Sequence, residues 1–272
     1  MKLNDLLAGI EILETNAPME LDVAGVRYAS NQVQPGELFV AVPGYATDGH
    51  KYIPDAARRG AAVILCEREM PAGTPWVRVA SSRQALAKLG ANWFGHPANT
   101  MQVIGVTGTN GKTSVTYLLK ALLEGALGAK VGLIGTICNL VGDEMLPTER
   151  TTPESLEVQG ILAKMRDAGC THVVMEVSSH ALYLHRVDEI PFRVGAFTNL
   201  TEDHLDFHKT MENYRRAKAM LFARCEMGVF NLDDPAAEAM MRDATCRCYT
   251  VGTTAAAQLV GEEIDLAADH VA

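Results

Sequence analysis

Leu3, Leu6, Leu7, Ile10 and Leu13 recur at spacings of three and four, which stack on one side of a helix, so an amphipathic helix is expected at the N-terminus. The apolar stretches then shorten. Runs at 37–42, 61–66 and 76–79 have strand length and are bounded by Gly, Pro or charge. Between them 52–59 predicts a helix stopped by Gly60, and 81–93 predicts another, capped by Ser81 or Ser82, with Leu86, Leu89 and Trp93 inward.

The breaker-rich stretch Gly95-His96-Pro97-Ala98-Asn99-Thr100 marks a domain boundary, giving 1–97 and 98–272. Beyond it the pattern becomes strand (101–106), glycine loop (107–111) and helix (112–127). Further strands are expected at 130–135, 172–177, 194–200 and 228–232, with helices at 153–168, 211–223 and 235–243. Alternating strands and helices make this an α/β chain: a small N-terminal α/β domain, then a mostly parallel sheet covered on both faces. After Leu232 only 248–251 and 258–264 have strand character, so the second domain is expected to be incomplete.

The composition, 48% hydrophobic and 21% charged over 272 residues, is that of a soluble globular protein with a sizeable core. A formal net charge of −9 argues against general nucleic-acid binding, which needs a basic surface. No apolar run approaches the ~20 residues that span a bilayer. The N-terminus does not resemble a signal peptide, and a cytoplasmic monomer is expected. Cys66, Cys138, Cys170, Cys225, Cys246 and Cys248 lack metal-ligand spacing and read as reduced thiols.

Candidate chemistry begins at Gly108-Thr109-Asn110-Gly111-Lys112-Thr113-Ser114. A glycine-rich turn between a buried strand and a helix wraps backbone N–H groups around an anion, and the helix dipole adds to the attraction. Lys112 can reach the outer phosphates of ATP, and Thr113 can coordinate Mg²⁺. The spacing departs from G-x-x-x-x-G-K-[ST], because Val106 stands where the first glycine would fall.

Three other segments carry polar residues where open α/β sheets bind ligands. Glu176 ends an apolar strand, where a carboxylate is costly to bury unless a cation meets it; a solvent-facing glutamate is the alternative. The run Thr198 to His208 holds two histidines, two aspartates and a glutamate, open between a metal site and a polar loop. Arg215, Arg216 and Lys218 face either phosphate or solvent.

Taken in order and spacing, Gly-Thr-Asn-Gly-Lys-Thr, Glu176-Val177-Ser178-Ser179-His180, Thr198-Asn199-Leu200-Thr201-Glu202-Asp203-His204-Leu205-Asp206 and Ala217-Lys218 resemble the Mur ligase family. Thr151-Thr152-Pro153, His185-Arg186 and Pro35-Gly36-Glu37-Leu38-Phe39-Val40-Ala41 extend the resemblance over essentially the whole chain. It implies an ATP-dependent ligase that joins a diamino acid, meso-diaminopimelate or L-lysine, to UDP-MurNAc-L-Ala-D-Glu through an acyl phosphate. Lys112 and Thr113 would then hold the phosphates and Mg²⁺, Glu176 and His204 would ligate metal, and Lys218 would be carbamylated and bridge to Mg²⁺. Thr151, Thr152, Ser178 and Arg186 would contact the muramoyl-peptide, and Ser30, Tyr45, Ala46 and Thr47 its uridine end.

Ala29-Ser30-Asn31 departs from the Asp-Ser-Arg that family members often show, which puts one polar anchor near the uridine in question, and Leu184 replaces a residue polar in some relatives. The segments that in the family hold adenine and the incoming amino acid are not among these residues, so the 272-residue chain is expected not to complete the reaction alone. Other readings are a different carboxylate–amine ligase, such as folylpolyglutamate synthetase, an unrelated phosphate-loop kinase, or a non-catalytic nucleotide- or UDP-sugar-binding module.

Overall fold

A computed structural model describes residues 1–44, 47–69, 73–262 and 264. The contacts divide the chain into two compact units. One contains Met1–Pro97, Glu154–Ala163 and Leu184–Glu189; the other contains Ala98–Pro153, Lys164–Tyr183 and Ile190–Ala272. Among the described residues no helix is long and apolar enough to cross a membrane. All six cysteines are free thiols, and Cys66, Cys138 and Cys170 are buried.

Among its described residues the first unit is built on five short strands: β1 (Glu14–Thr15), β2 (Val26–Arg27), β3 (Leu38–Val40), β4 (Val63–Cys66) and β5 (Trp76–Arg78). They lie in the order β1-β5-β4-β3-β2, parallel except for β1. Alternation along the strands fills both faces. Leu38, Val40, Val63, Leu65 and Val77 pack with Leu3 and Leu6 of α1 (Leu3–Leu6) and with Leu86 and Leu89 of α3 (Ser82–Phe94). Phe39, Ile64, Cys66 and Trp76 pack with Ile53 and Ala56 of α2 (Ile53–Arg58). Ser81 caps α3 by accepting from Gln84 N–H, and Gly95 closes it in the left-handed conformation.

The N-terminal helix is shorter than its spacing predicts. It stops at Leu6, Gly9 turns the chain at φ +75°, and Leu13 lies 48% exposed.

Among its described residues the second unit carries nine strands: β6 (Gln102–Thr107), β7 (Val131–Ile134), β8 (Asn139–Val141), β9 (Glu144–Leu146), β10 (His172–Glu176), β11 (Phe192–Phe197), β12 (Cys225–Asn231), β13 (Arg247–Gly252) and β14 (Leu259–Val260). Their order is β14-β13-β12-β11-β6-β10-β7-β8-β9, and all pair in parallel except β8 and β9. The helices are α4 (Lys112–Leu127), α5 (Ser155–Asp167, whose first part belongs to the first unit), α6 (Ser179–Tyr183), α7 (Leu205–His208), α8 (Met211–Ala219) and α9 (Ala236–Asp243). Val106, Val131 and Val174 form a core beneath Val115, Leu119 and Leu123 of α4. β10 and β11 flank β6, so the loops after these three strands share one edge of the sheet.

Candidate functional site: a phosphate loop braced by three segments

The loop after β6 is held open by glycine at two points. Gly111 has φ +81°. Gly108 has φ +150°, and a Cβ there would stand 1.9 Å from Thr198 Oγ1. The segment after β11 presses against this gap. Thr109 N–H donates to Asn199 C=O at 2.8 Å and Asn110 N–H to Asn199 Oδ1 at 2.9 Å. Thr198 Oγ1 donates to Asn110 C=O at 2.7 Å, and Leu200 N–H to Asp234 Oδ2 at 2.7 Å. The first bond of the helix runs from Val115 N–H to Gly111 C=O. The amides of Lys112, Thr113 and exposed Ser114 therefore precede any helical acceptor and form the positive N-terminal end of α4.

Lys112 bends back over the loop, donating to Gly108 C=O at 2.9 Å and Thr109 C=O at 2.8 Å, and burial holds its amine below the ordinary lysine value. Glu176, fully buried at the end of β10, is satisfied by donors from the start of α4 and from the loop after β7. Thr113 Oγ1 lies 3.0 Å from each carboxylate oxygen, Thr136 N–H donates at 2.8 Å and Thr136 Oγ1 at 3.0 Å. The same strand end gathers three more of the predicted positions. Thr136 Oγ1 lies 3.0 Å from Thr151 Oγ1, Thr152 Oγ1 donates to Glu176 C=O at 2.8 Å, and Ser178 N–H to Thr152 Oγ1 at 3.2 Å.

Lys218 is fully buried on α8 and donates to Gly108 C=O at 2.8 Å, with its ammonium 4.3 Å from the centre of the Tyr214 ring. Burial first, then the neighbouring Lys112 cation, brings its amine down to about 7. His204 also flanks Tyr214, ring to ring at 6.1 Å, but it is half exposed and its near ionic partner is Asp203 at 3.4 Å. Among the described residues no three His, Cys, Asp or Glu side chains stand close enough together to hold a metal ion. Thr113 and Glu176 are thus brought together, and Lys218 joins them on the loop, while His204 remains at the rim.

In the first unit, Ser30 opens a single 3-10 turn, and its hydroxyl is the main cause holding Asp55 below the ordinary carboxylate value. Thr47 C=O accepts from Gly44 N–H at 2.8 Å, and its hydroxyl lies 3.3 Å from Tyr52 Oη. The predicted positions Tyr45 and Ala46 fall outside the described residues. Beside Thr47, Asp48 accepts from His50 N–H and ring and from Arg68, which brings its carboxyl down to about 2. Arg186 pairs with Glu154 at 2.5 Å.

Sequence reasoning gave no individual role to several groups that shape the site. Thr136 follows β7 and completes the shell of Glu176. Asn199 and Tyr214 brace the phosphate loop, Tyr214 Oη lying 3.3 Å from Thr109 Oγ1. His208 is buried with Nε2 2.9 Å from Ser179 Oγ, and burial, then nearby cationic groups, lower it to about 4. The signal for Asn199 was its place just after a buried strand next to the phosphate-loop strand.

A glycine loop between a central parallel strand and a helix, with a buried acid on the neighbouring strand, defines a phosphate-loop α/β protein. The chain belongs to the Mur ligase family: the Mur ligase middle domain matches residues 106–271, and the "Mur ligase family, catalytic domain" matches 22–94. It is 43% identical over 271 residues, 98% of this chain and 56% of the relative, to the UDP-N-acetylmuramoyl-L-alanyl-D-glutamate–2,6-diaminopimelate ligase of Clostridium tetani. It is 41% identical over 276 residues, covering 100% of this chain and 57% of the relative, to the ligase of the same name from Clostridioides difficile. A solved structure of such a ligase superposes with a TM-score of 0.81 at 26% identity, covering 98% of this chain and 55% of that one. The chain thus spans about half the length of the curated relatives it matches.

Proposed function

We propose that this chain supplies the nucleotide and muramoyl-peptide half of an ATP-dependent amide ligase of peptidoglycan synthesis, acting on UDP-MurNAc-L-Ala-D-Glu. The observation that carries the reading is Lys112, Thr113, Glu176 and Lys218 converging on one phosphate loop. That both relatives are diaminopimelate ligases favours diaminopimelate over lysine as the incoming amino acid.

The reaction has two steps. A carboxylate oxygen of the terminal glutamate attacks the γ-phosphorus of ATP and ADP leaves. The amine of the diamino acid then attacks the acyl carbon, phosphate leaves, and the amine gives up a proton as the amide forms. The chain's part is positioning and charge neutralisation. The amides opening α4 cradle phosphate, and Lys112 exchanges its two loop carbonyls for the outer phosphates. Thr151, Thr152 and Ser178, grouped beside Glu176, offer hydroxyls to the muramoyl-peptide, with Arg186 for its carboxylates and Ser30 and Thr47 for its uridine end.

The hydroxyl of Thr113 and the carboxylate of Glu176 are hard oxygen donors that fit Mg²⁺, with His204 as a further ligand. When bound, Mg²⁺ would offset the charge of the phosphates. Lys218, with its amine brought near neutral pH, is suited to take up CO₂ as a carbamate, which turns a cation that repels metal into an anion that attracts it.

The test is formation of the tripeptide product from UDP-MurNAc-L-Ala-D-Glu, MgATP and diaminopimelate, by the chain as given and by the chain fused to the second half of the Clostridium tetani ligase. Product with the fusion and none with the chain alone is expected. No product with either, although both bind MgATP, contradicts the ligase reading in favour of a binding module.

A further inference from the structure

The strand pairing of β11 ends at Phe197, opposite Thr107 of β6 and Phe230 of β12. Residues 198–200, which follow, brace the phosphate loop, and they are themselves held by side chains from the turn after β12. Asn231 Nδ2 donates to Thr198 C=O at 2.9 Å, and Asp234 Oδ2 accepts from Leu200 N–H at 2.7 Å. A donor on one side and an acceptor on the other thus pin Asn199 between them. Both grips are fixed in turn. Asn231 Oδ1 accepts from Asp233 N–H at 3.1 Å, and Asp234 Oδ1 accepts at 2.8 Å from the N–H of Ala236, the first residue of α9.

Asn199 passes this fixity to the loop, its C=O taking Thr109 N–H and its Oδ1 taking Asn110 N–H. Those two amides are committed to Asn199, so an anion is left the amides that open α4. Where these point depends on where Asn110 is held. Side-chain bonds from a distant turn fix a loop's shape before a ligand arrives, which lowers the ordering cost of binding. We propose that Asn231 and Asp234 are positioning residues for nucleotide binding. They pin 198–200 and through it set Thr109, Asn110 and the start of α4 for the phosphates. This rests on the reading of the loop as an ATP site given above.

The experiment is amide exchange of the ligand-free chain, read by NMR, together with calorimetric titration with ATP in the presence and absence of Mg²⁺. Asp234→Asn keeps one acceptor oxygen and turns an amide N–H₂ toward the other donor, so one of the two bonds is lost. The Thr109 and Asn110 amides should then exchange about tenfold faster, while those of β6 keep the parent's rates. ATP should bind about tenfold more weakly, to the same extent with and without Mg²⁺, because the variant disturbs the loop and not the metal's donors. Asn231→Ala removes the other grip and should change both measurements about threefold; it serves if Asp234→Asn does not fold. If Lys112→Ala leaves ATP binding unaffected, the reading of the loop as an ATP site fails and the inference with it. If Lys112→Ala weakens ATP but neither Asp234→Asn nor Asn231→Ala does, the inference alone is overturned. Exchange quickened equally in β6 and the loop also overturns it, since general loosening of the unit would produce that, and so does a loss of affinity seen only with Mg²⁺.

Discussion

Thr113 Oγ1 lies 3.0 Å from both carboxylate oxygens of Glu176, so the second residue of the phosphate-loop helix and the last residue of the neighbouring strand share one hydroxyl. The contact joins two segments 63 positions apart and places two oxygen donors at the opening of α4.

Glu176→Gln should therefore separate metal from nucleotide. It keeps one acceptor oxygen for Thr136 N–H and loses the charge, so binding of MgATP should weaken about tenfold or more, with metal-free ATP changed far less. Titration with and without EDTA measures this, and equal losses under both conditions would remove Glu176 from the metal site.

Gly108→Ala should strain the loop. A left-handed conformation costs a residue with a side chain about 1–3 kcal/mol, and the added carbon meets Thr198 Oγ1. Thr198→Ala in the same chain removes the clash but not the strained angle, so it should restore part of the lost stability in chemical denaturation. No restoration would show that the clash is relieved by other movements.

Lys218 should make stability rise with pH. Its folded-state value of about 7 is below the ordinary lysine value, so above pH 7 the unfolded chain holds a proton that the folded chain has released. Well below pH 7 the cost of the buried cation is fully present. Melting temperatures should rise from pH 6.5 to 9, and Lys218→Met should raise the value at pH 6.5 and flatten the slope. The same free amine should give a ¹³C carbamate signal with labelled bicarbonate that grows over this range; a signal unchanged in Lys218→Met would assign the carbamate elsewhere.

His208 has the complementary effect at acid pH. Its folded-state value of about 4 is below the ordinary histidine value, so as pH falls through that window the unfolded chain takes up a proton first and stability is lost. His208→Gln should lose less stability than the parent between pH 6.5 and 4.5 in urea denaturation. An identical loss would place the acid sensitivity in the carboxylates.

Much of this was legible in local pattern. The strand, glycine loop and helix at 101–127 became β6, loop and α4, because a buried β-run and a 3.6-residue period signal themselves. The hairpin of β8 and β9 was passed over although Gly142-Asp143, with Gly142 at φ +61°, is a two-residue turn between short apolar runs. The burial of Lys218 had no local signature: an Arg-Arg-Ala-Lys helix reads as solvated until its partners, Gly108 C=O and the Tyr214 ring, are in place. The membership of 154–163 and 184–189 in the first unit is likewise set by distant contacts that no single stretch announces.

The central claim, that this loop holds ATP for a muramoyl-peptide ligase, is tested most directly by a binding titration on the chain and on Lys112→Ala. The account requires saturable MgATP binding that falls about tenfold or more in Lys112→Ala, with binding of UDP-MurNAc-L-Ala-D-Glu retained in both. MgATP binding unchanged by Lys112→Ala, or no binding of the muramoyl-dipeptide by the parent chain, would contradict it.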